Sequence, residues 1–185
     1  MKSDKRLIMR FFLLIFLLIF FSCNKQKQKK EIPKLKYSKE SLEEINRNLV
    51  NKDAELIESY VKRHNWNMNT TETGLWYMIY ENKNGTQINE GDLVKYNYKT
   101  RLLDGTLCYS SDSLGAKSII VGQGGIESGL EEGLLLLNKG SKARFVLPPH
   151  LAHGLIGDEN RIPARAILIC DIEILDIKNL NTQSK

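Results

Sequence analysis

GLEEGLLLLNKGSKARFVLPPHLAHG, residues 129–154, joins a short apolar helix to a strand and then to a loop that two prolines halt. Gly129 and Gly133 bracket the helix, and Glu131 and Glu132 in its first turn suit the positive end of a helix dipole. Leu134 to Leu137 make the following turn apolar on every side. A helix of that kind belongs in an interior, most simply across one face of a curved sheet. Gly140 is expected to end it, as glycine accepts the left-handed conformation after a last helical turn. Lys142 to Leu147 reads as a strand, and Pro148-Pro149 stops it because proline offers a ladder no N–H.

The flanking sequence extends this pattern. Gly74 to Tyr80 alternates Leu75, Tyr77 and Ile79 with Trp76, Met78 and Tyr80, and Asn84-Gly85 reads as a hairpin-type turn. Leu93 to Leu103 places Val94, Tyr96, Tyr98, Thr100 and Leu102 on one side, and Lys95, Asn97, Lys99 and Arg101 on the other. Asp104-Gly105 then turns the chain into Thr106 to Ser110, and short and long strands follow at Ser118 to Val121 and Ala166 to Ile177. The class is α+β, an antiparallel curved sheet of five or six strands wrapped on one short helix. An N-terminal helical extension, residues 38–66, precedes it. Ser38 can cap a first helix with Leu42, Ile45 and Leu49 on one face. Asp53 can cap a second with Leu56, Ile57, Tyr60, Val61 and His64 on another. These faces suit either packing on the domain's own sheet or a dimerising arm, so a homodimer through residues 38–64 is one expectation.

The N-terminal end carries an address. Lys2, Lys5, Arg6 and Arg10 precede an unbroken apolar run, Phe11 to Phe21, whose 11 residues fit a secretory signal better than a membrane span. Ser22-Cys23 follows at once and resembles the bacterial lipobox, in which the cysteine thiol receives diacylglycerol and becomes the new N-terminus. Phe20 and Phe21 stand where that box more often has Leu and a small residue. This reading makes residues 1–22 a lipoprotein signal, Cys23 the lipidation site, and residues 23–37 a basic flexible tether. Asn24 supplies no aspartate retention signal, which favours the outer membrane, facing the periplasm. The net charge of +5 is concentrated here: from Tyr37 onward 17 Lys and Arg face 20 Asp and Glu, a net −3. A basic nucleic-acid surface is therefore not expected.

Over residues 73–177 the order of motifs resembles the FKBP-type peptidyl-prolyl isomerases. The stretches that carry it are Thr73-Gly74-Leu75-Trp76-Tyr77, Gly91 to Tyr98 with Leu103-Asp104-Gly105-Thr106, Gly129 to Gly133, Pro148 to Gly154, and Ile162-Pro163 through Leu175. Residues 178–185 remain as a disordered tail. The lipid-anchored form is similar to gliding-motility-associated isomerase lipoproteins of the cell envelope. The resemblance implies an enzyme that rotates X-Pro bonds of proline-containing polypeptides, with no cofactor and no metal. Its mechanism is desolvation of the amide and hydrogen-bond positioning, without a nucleophile.

Residue by residue, the resemblance implies a catalytic pocket of Tyr96, Ile126, Glu127, Leu130, His153 and Ile162, with Cys108, Tyr109, Arg161 and Cys170 on its rim or wall. Several of these depart from the family. Leu130 stands for a Trp floor, His153 for a Tyr whose hydroxyl donates to substrate, Glu127 for an Ile and Tyr109 for an Asp. Lys117 stands for a Phe, Arg161 for an Ile, and Cys108 and Cys170 for two neighbouring Phe residues. Those two cysteines are accordingly expected as a disulfide or as a close pair of thiols. A neutral imidazole still donates one N–H, and the Glu127 main-chain N–H survives the change of side chain. Two function classes stay open: a working isomerase of altered preference, and a weak or inactive lipoprotein of this fold serving as chaperone or scaffold. His150 and His153 share a loop with no third ligand, and the three His residues are scattered.

Overall fold

A computed structural model describes residues 38–180. The signal, the tether with Cys23 and residues 181–185 of the tail lie outside the described residues. The described chain is built from helix α1 (Lys39–Arg63), strands β1 (Asn69–Thr70), β2 (Trp76–Glu81), β3 (Asp92–Leu102) and β4 (Leu107–Ser110), helix α2 (Ser111–Leu114), strand β5 (Lys117–Ile120), helix α3 (Ser128–Leu134), strand β6 (Lys142–Leu147), a 3-10 turn (Pro149–Leu151) and strand β7 (Leu168–Asn179). All strand pairs are antiparallel. The order is β1-β2-β6-β7-β3-β4, with β5 also on β3, so the sheet has seven strands, one of them only two residues long.

The alternation in β3 sets the faces. Val94, Tyr96 and Tyr98 point into the core with Phe145 and Leu147 of β6 and Leu168, Cys170, Ile172 and Ile174 of β7. Leu130 and Leu134 of α3, with Leu137, close this core from above the sheet. The spacing of Gly129 and Gly133 explains how α3 approaches so closely. A Cβ at Gly133 would stand 2.8 Å from the Phe145 ring, and one at Gly129 would stand 2.8 Å from Leu151 Cβ. Both acids that follow tie loops to the helix: Glu131 Oε1 accepts the Gly122 N–H at 2.7 Å, and Glu132 Oε2 accepts the Thr73 hydroxyl at 2.7 Å.

Four local expectations are corrected. Residues 39–63 form one continuous helix, and Asp53 lies in its middle rather than at a cap. No Gly or Pro interrupts Asn51-Lys52-Asp53-Ala54, and the Asp53 carboxylate is spent on Arg165 instead of on helix N–H groups. Asn84-Gly85 joins no hairpin, because β2 pairs with β6 and lies apart from β3. Gly140 does not end α3, which stops at Leu134; its left-handed φ of 83° instead turns the chain so that its N–H meets Ile174 O at 3.0 Å. β7 runs to Asn179, two residues into the stretch expected as tail.

The two readings of the N-terminal helical faces divide along α1. Its C-terminal half packs on the sheet face opposite α3, where Ile57 and Val61 meet Val146, Ile167 and Ile169. Phe145 to Leu147 of β6 and Leu168 to Cys170 of β7 are therefore buried on both faces, and those two stretches are apolar throughout. The N-terminal half of α1 leaves Leu42 and Ile45 exposed. Among the described residues no helix is long and apolar enough to cross a membrane.

Candidate active site

Tyr96 is fully buried on β3, with its ring edge-to-face against Tyr98 at 6.1 Å between centroids. Leu130 comes from α3, Ile162 from the loop before β7, Cys108 from β4 and Cys170 from β7, and all four side chains are buried in the same apolar cluster. Ile126, Tyr109 and Ala152 pack against it. The fold thus brings together residues separated by up to 74 positions, from Tyr96 to Cys170. An open cleft of about 360 Å³ adjoins them, lined by Lys117, Gly125, Ile126, Glu127, Ala152 and His153.

The rim is polar and paired. His153 donates from Nε2 to Glu127 Oε1 at 2.9 Å, so the donor expected to face a substrate is engaged by the carboxylate across the cleft. Lys117 Nζ lies 4.8 Å from the centroid of the Tyr98 ring, a cation–π contact. Among the described residues, the Glu127 N–H donates to no other main-chain carbonyl. The Tyr96 hydroxyl is buried and has no hydrogen-bond partner among the described residues. Burial above all, and then the negative charge of Glu127, push its ionisation upward, so it stays a neutral O–H donor.

Cys108 and Cys170 are free thiols, not a disulfide. Cys170 Sγ lies 3.8 Å from Thr100 Oγ1, while Cys108 Sγ faces Arg161 O at 3.6 Å. Burial, with Glu127 adding to it, pushes the Cys170 thiol up to about 12; burial likewise raises Cys108, with help from Asp158. Neither supplies a thiolate nucleophile at neutral pH, and both serve as small apolar side chains. Among the described residues no group of three or more His, Cys, Asp or Glu could hold a metal ion.

Tyr109 and Arg161 belong to a loop anchor whose centre, Asp158, the motif pattern did not single out. The Tyr109 hydroxyl donates to Asp158 Oδ2, and the N–H groups of Ile162 and Asn160 donate to Asp158 Oδ1 at 2.7 and 3.0 Å. Arg161 donates to Cys108 O at 2.8 Å and lies over the Tyr109 ring. A sequence signal existed in Asp158-Glu159-Asn160, since Asp accepts from the main chain two residues on in an Asx turn. Tyr98 became legible as a pocket neighbour only once β3 and β5 were paired, which sets Lys117 over its ring.

Asp158 makes the loop acid-sensitive. Burial raises its carboxyl, but the Tyr109 hydroxyl, the two main-chain N–H groups and His153 together bring it down from its ordinary value of 3.8 to about 2. A depressed carboxylate stabilises the fold fully above its unfolded value and loses that contribution as pH falls through the folded one. Denaturant melts between pH 4 and pH 2 are expected to show this loss, and Asp158→Asn is expected to flatten that part of the curve. An unchanged acid limb in the variant would remove Asp158 from the account.

A family model for FKBP-type peptidyl-prolyl cis-trans isomerases matches residues 84–175. Among curated relatives, the human peptidyl-prolyl cis-trans isomerase FKBP9 is 39% identical over 89 residues, 48% of this chain and 16% of that protein. The FKBP-type peptidyl-prolyl cis-trans isomerase FkpA of Escherichia coli (strain K12) is 37% identical over 109 residues, 59% of this chain and 40% of that protein. This chain therefore spans well under two thirds of the curated relatives' lengths. The crystal structure of Escherichia coli FkpA matches with a TM-score of 0.58 at 30% identity, covering 78% of this chain and 75% of that one. That of AtFKBP13 matches with a TM-score of 0.58 at 25% identity, covering 60% and 99%. With the antiparallel curved sheet of these structures, the chain belongs to the family of FKBP-type peptidyl-prolyl cis-trans isomerases.

Proposed function

We propose that this protein catalyses cis–trans isomerisation of X-Pro bonds in exported polypeptides. Amide resonance sets a rotation barrier of ~20 kcal/mol. The twisted amide loses dipole at oxygen, so a dry trough favours it over the planar ground state. Tyr96, Ile126, Leu130 and Ile162 supply that trough, and the Glu127 main-chain N–H fixes the substrate backbone. His153 supplies a second donor when it leaves the Glu127 carboxylate.

The observation that carries this reading is the Tyr96 hydroxyl, buried in the apolar cluster without a partner. An unsatisfied buried donor costs about 1–3 kcal/mol, and a substrate carbonyl that displaces the Ile126–Glu127 wall of the adjoining cleft to reach it would relieve that cost. The experiment is a proline-limited refolding assay with the full chain in detergent. Catalysis above the uncatalysed rate is expected.

A second reading, a chaperone or scaffold with little catalysis, draws on the apolar surface left exposed at Leu42 and Ile45 of α1 and at Leu155 and Ile156 of the loop after His153. It predicts suppressed client aggregation with isomerisation at background. The same α1 edge suits pairing with a second copy of the chain, which a monomeric mass in sedimentation at micromolar concentration would exclude.

The address proposed for the protein is the cell envelope, anchored by lipid on Cys23 at the outer membrane and facing the periplasm, as in gliding-motility-associated lipoproteins. The basic charge before Phe11 and the Ser22-Cys23 junction support it. Cys23→Ser is expected to abolish fatty-acid labelling and to release the protein from the membrane fraction; persistent labelling would contradict the anchor.

A further inference from the structure

We infer that α1 is part of the catalytic apparatus through Asp53, a positioning residue that clamps the base of the pocket loop. Asp53, Ile57 and Val61 recur every four residues and form the buried stripe of α1. Two members of that stripe are aliphatic and meet the sheet. The third is a carboxylate, 7% exposed, whose two oxygens lie 2.9 and 2.8 Å from Arg165 Nη2.

Arg165 stands where the loop closes on itself. Its N–H donates to Gly154 O at 2.9 Å, joining the two ends of the segment between them. Its φ of 57° is left-handed, a conformation that a non-glycine residue holds only when its surroundings enforce it. The segment it closes contains Asp158 and Ile162 and begins one residue after His153, whose carbonyl accepts the Gly157 N–H at 3.3 Å. A pocket wall and a rim donor are therefore set by a loop whose base is tied to a helix outside the sheet core.

Removing a charge partner from this pair is asymmetric. Arg165 is one-third exposed and can turn to water, whereas Asp53 cannot. Asp53→Asn thus keeps shape, removes the charge and releases the loop, while Arg165→Gln strands a buried carboxylate and also destabilises the fold.

The activity arm of the test rests on the isomerase reading; the amide-exchange arm does not. In full-length protein, Asp53→Asn is expected to speed exchange of the Ile162 and Arg165 amides and to lower kcat/KM at least about tenfold, toward the roughly hundredfold loss that a displacement of ~1 Å can bring. Ile57→Val, which loosens the same stripe without touching Arg165, is expected to leave both unchanged. The double variant Asp53→Asn with Arg165→Gln is expected to exchange no faster than Arg165→Gln alone. Wild-type exchange in Asp53→Asn, or equal losses in Ile57→Val, would overturn the inference. A wild-type protein without isomerase activity would instead contradict the functional reading, and the exchange data would still decide the clamp.

Discussion

Gly157→Ala is expected to open the pocket loop and to lower both stability and activity. Gly157 has φ 79°, and a Cβ there would stand 2.2 Å from Ile162 O and 2.7 Å from Pro163 C. Both are main-chain atoms, so no side chain can swing aside. Left-handed strain for alanine adds about 1–2 kcal/mol, and with the forced backbone shift the loss is on the order of 3 kcal/mol. The shift falls on the Asp158 to Ile162 turn, which holds the pocket wall, so kcat/KM is expected to drop at least about tenfold. Gly105→Ala is the control: its φ is 90°, but no atom lies within 4 Å of the added Cβ. It carries the strain alone and lies in the β3–β4 turn. Equal effects of the two substitutions, measured by denaturant melts and refolding catalysis, would show that the close approach at Gly157 has no consequence.

The residues of this loop also mark where sequence reading ended. Gly129 and Gly133, the alternation of β3 and the stop at Pro148-Pro149 are local signals, and each appears in the structure with a local cause: contact with Phe145, a buried face, a missing N–H. The apolar pocket set was legible through the order of motifs, and Tyr96, Leu130, Ile162, Cys108 and Cys170 do share one cluster. Electrostatic pairing was not legible in the same way. His153 meets Glu127 across 26 positions, Tyr109 meets Asp158 across 49, and Arg165 meets Asp53 across 112. Polar side chains announce no periodicity, so their partners emerge only when the sheet register is known. Asp53 illustrates the consequence. A residue type that favours caps suggested a helix start, whereas a distant arginine made it an interior anchor.

Tyr96→Phe separates catalysis from structure because its two effects have opposite signs. Phenylalanine keeps the buried ring and its contact with Tyr98 while removing a hydroxyl that has no partner. Stability is therefore expected to hold or to rise by about 1 kcal/mol, since an unsatisfied buried polar group is destabilising. Catalysis is expected to fall, because the donor that a substrate carbonyl would meet is gone. His153→Ala is expected to fall as well, and it frees the Glu127 carboxylate at the rim.

Proline-limited refolding catalysed by the wild-type chain and by Tyr96→Phe, at equal concentration and with melting curves taken on the same samples, is the most direct measurement. The account predicts acceleration by the wild type and roughly tenfold less by a Tyr96→Phe protein that melts no earlier, the loss that one ordinary hydrogen bond of about 1.4 kcal/mol brings. Equal acceleration by the two proteins would contradict the assignment of Tyr96, and none by the wild type would contradict the isomerase itself.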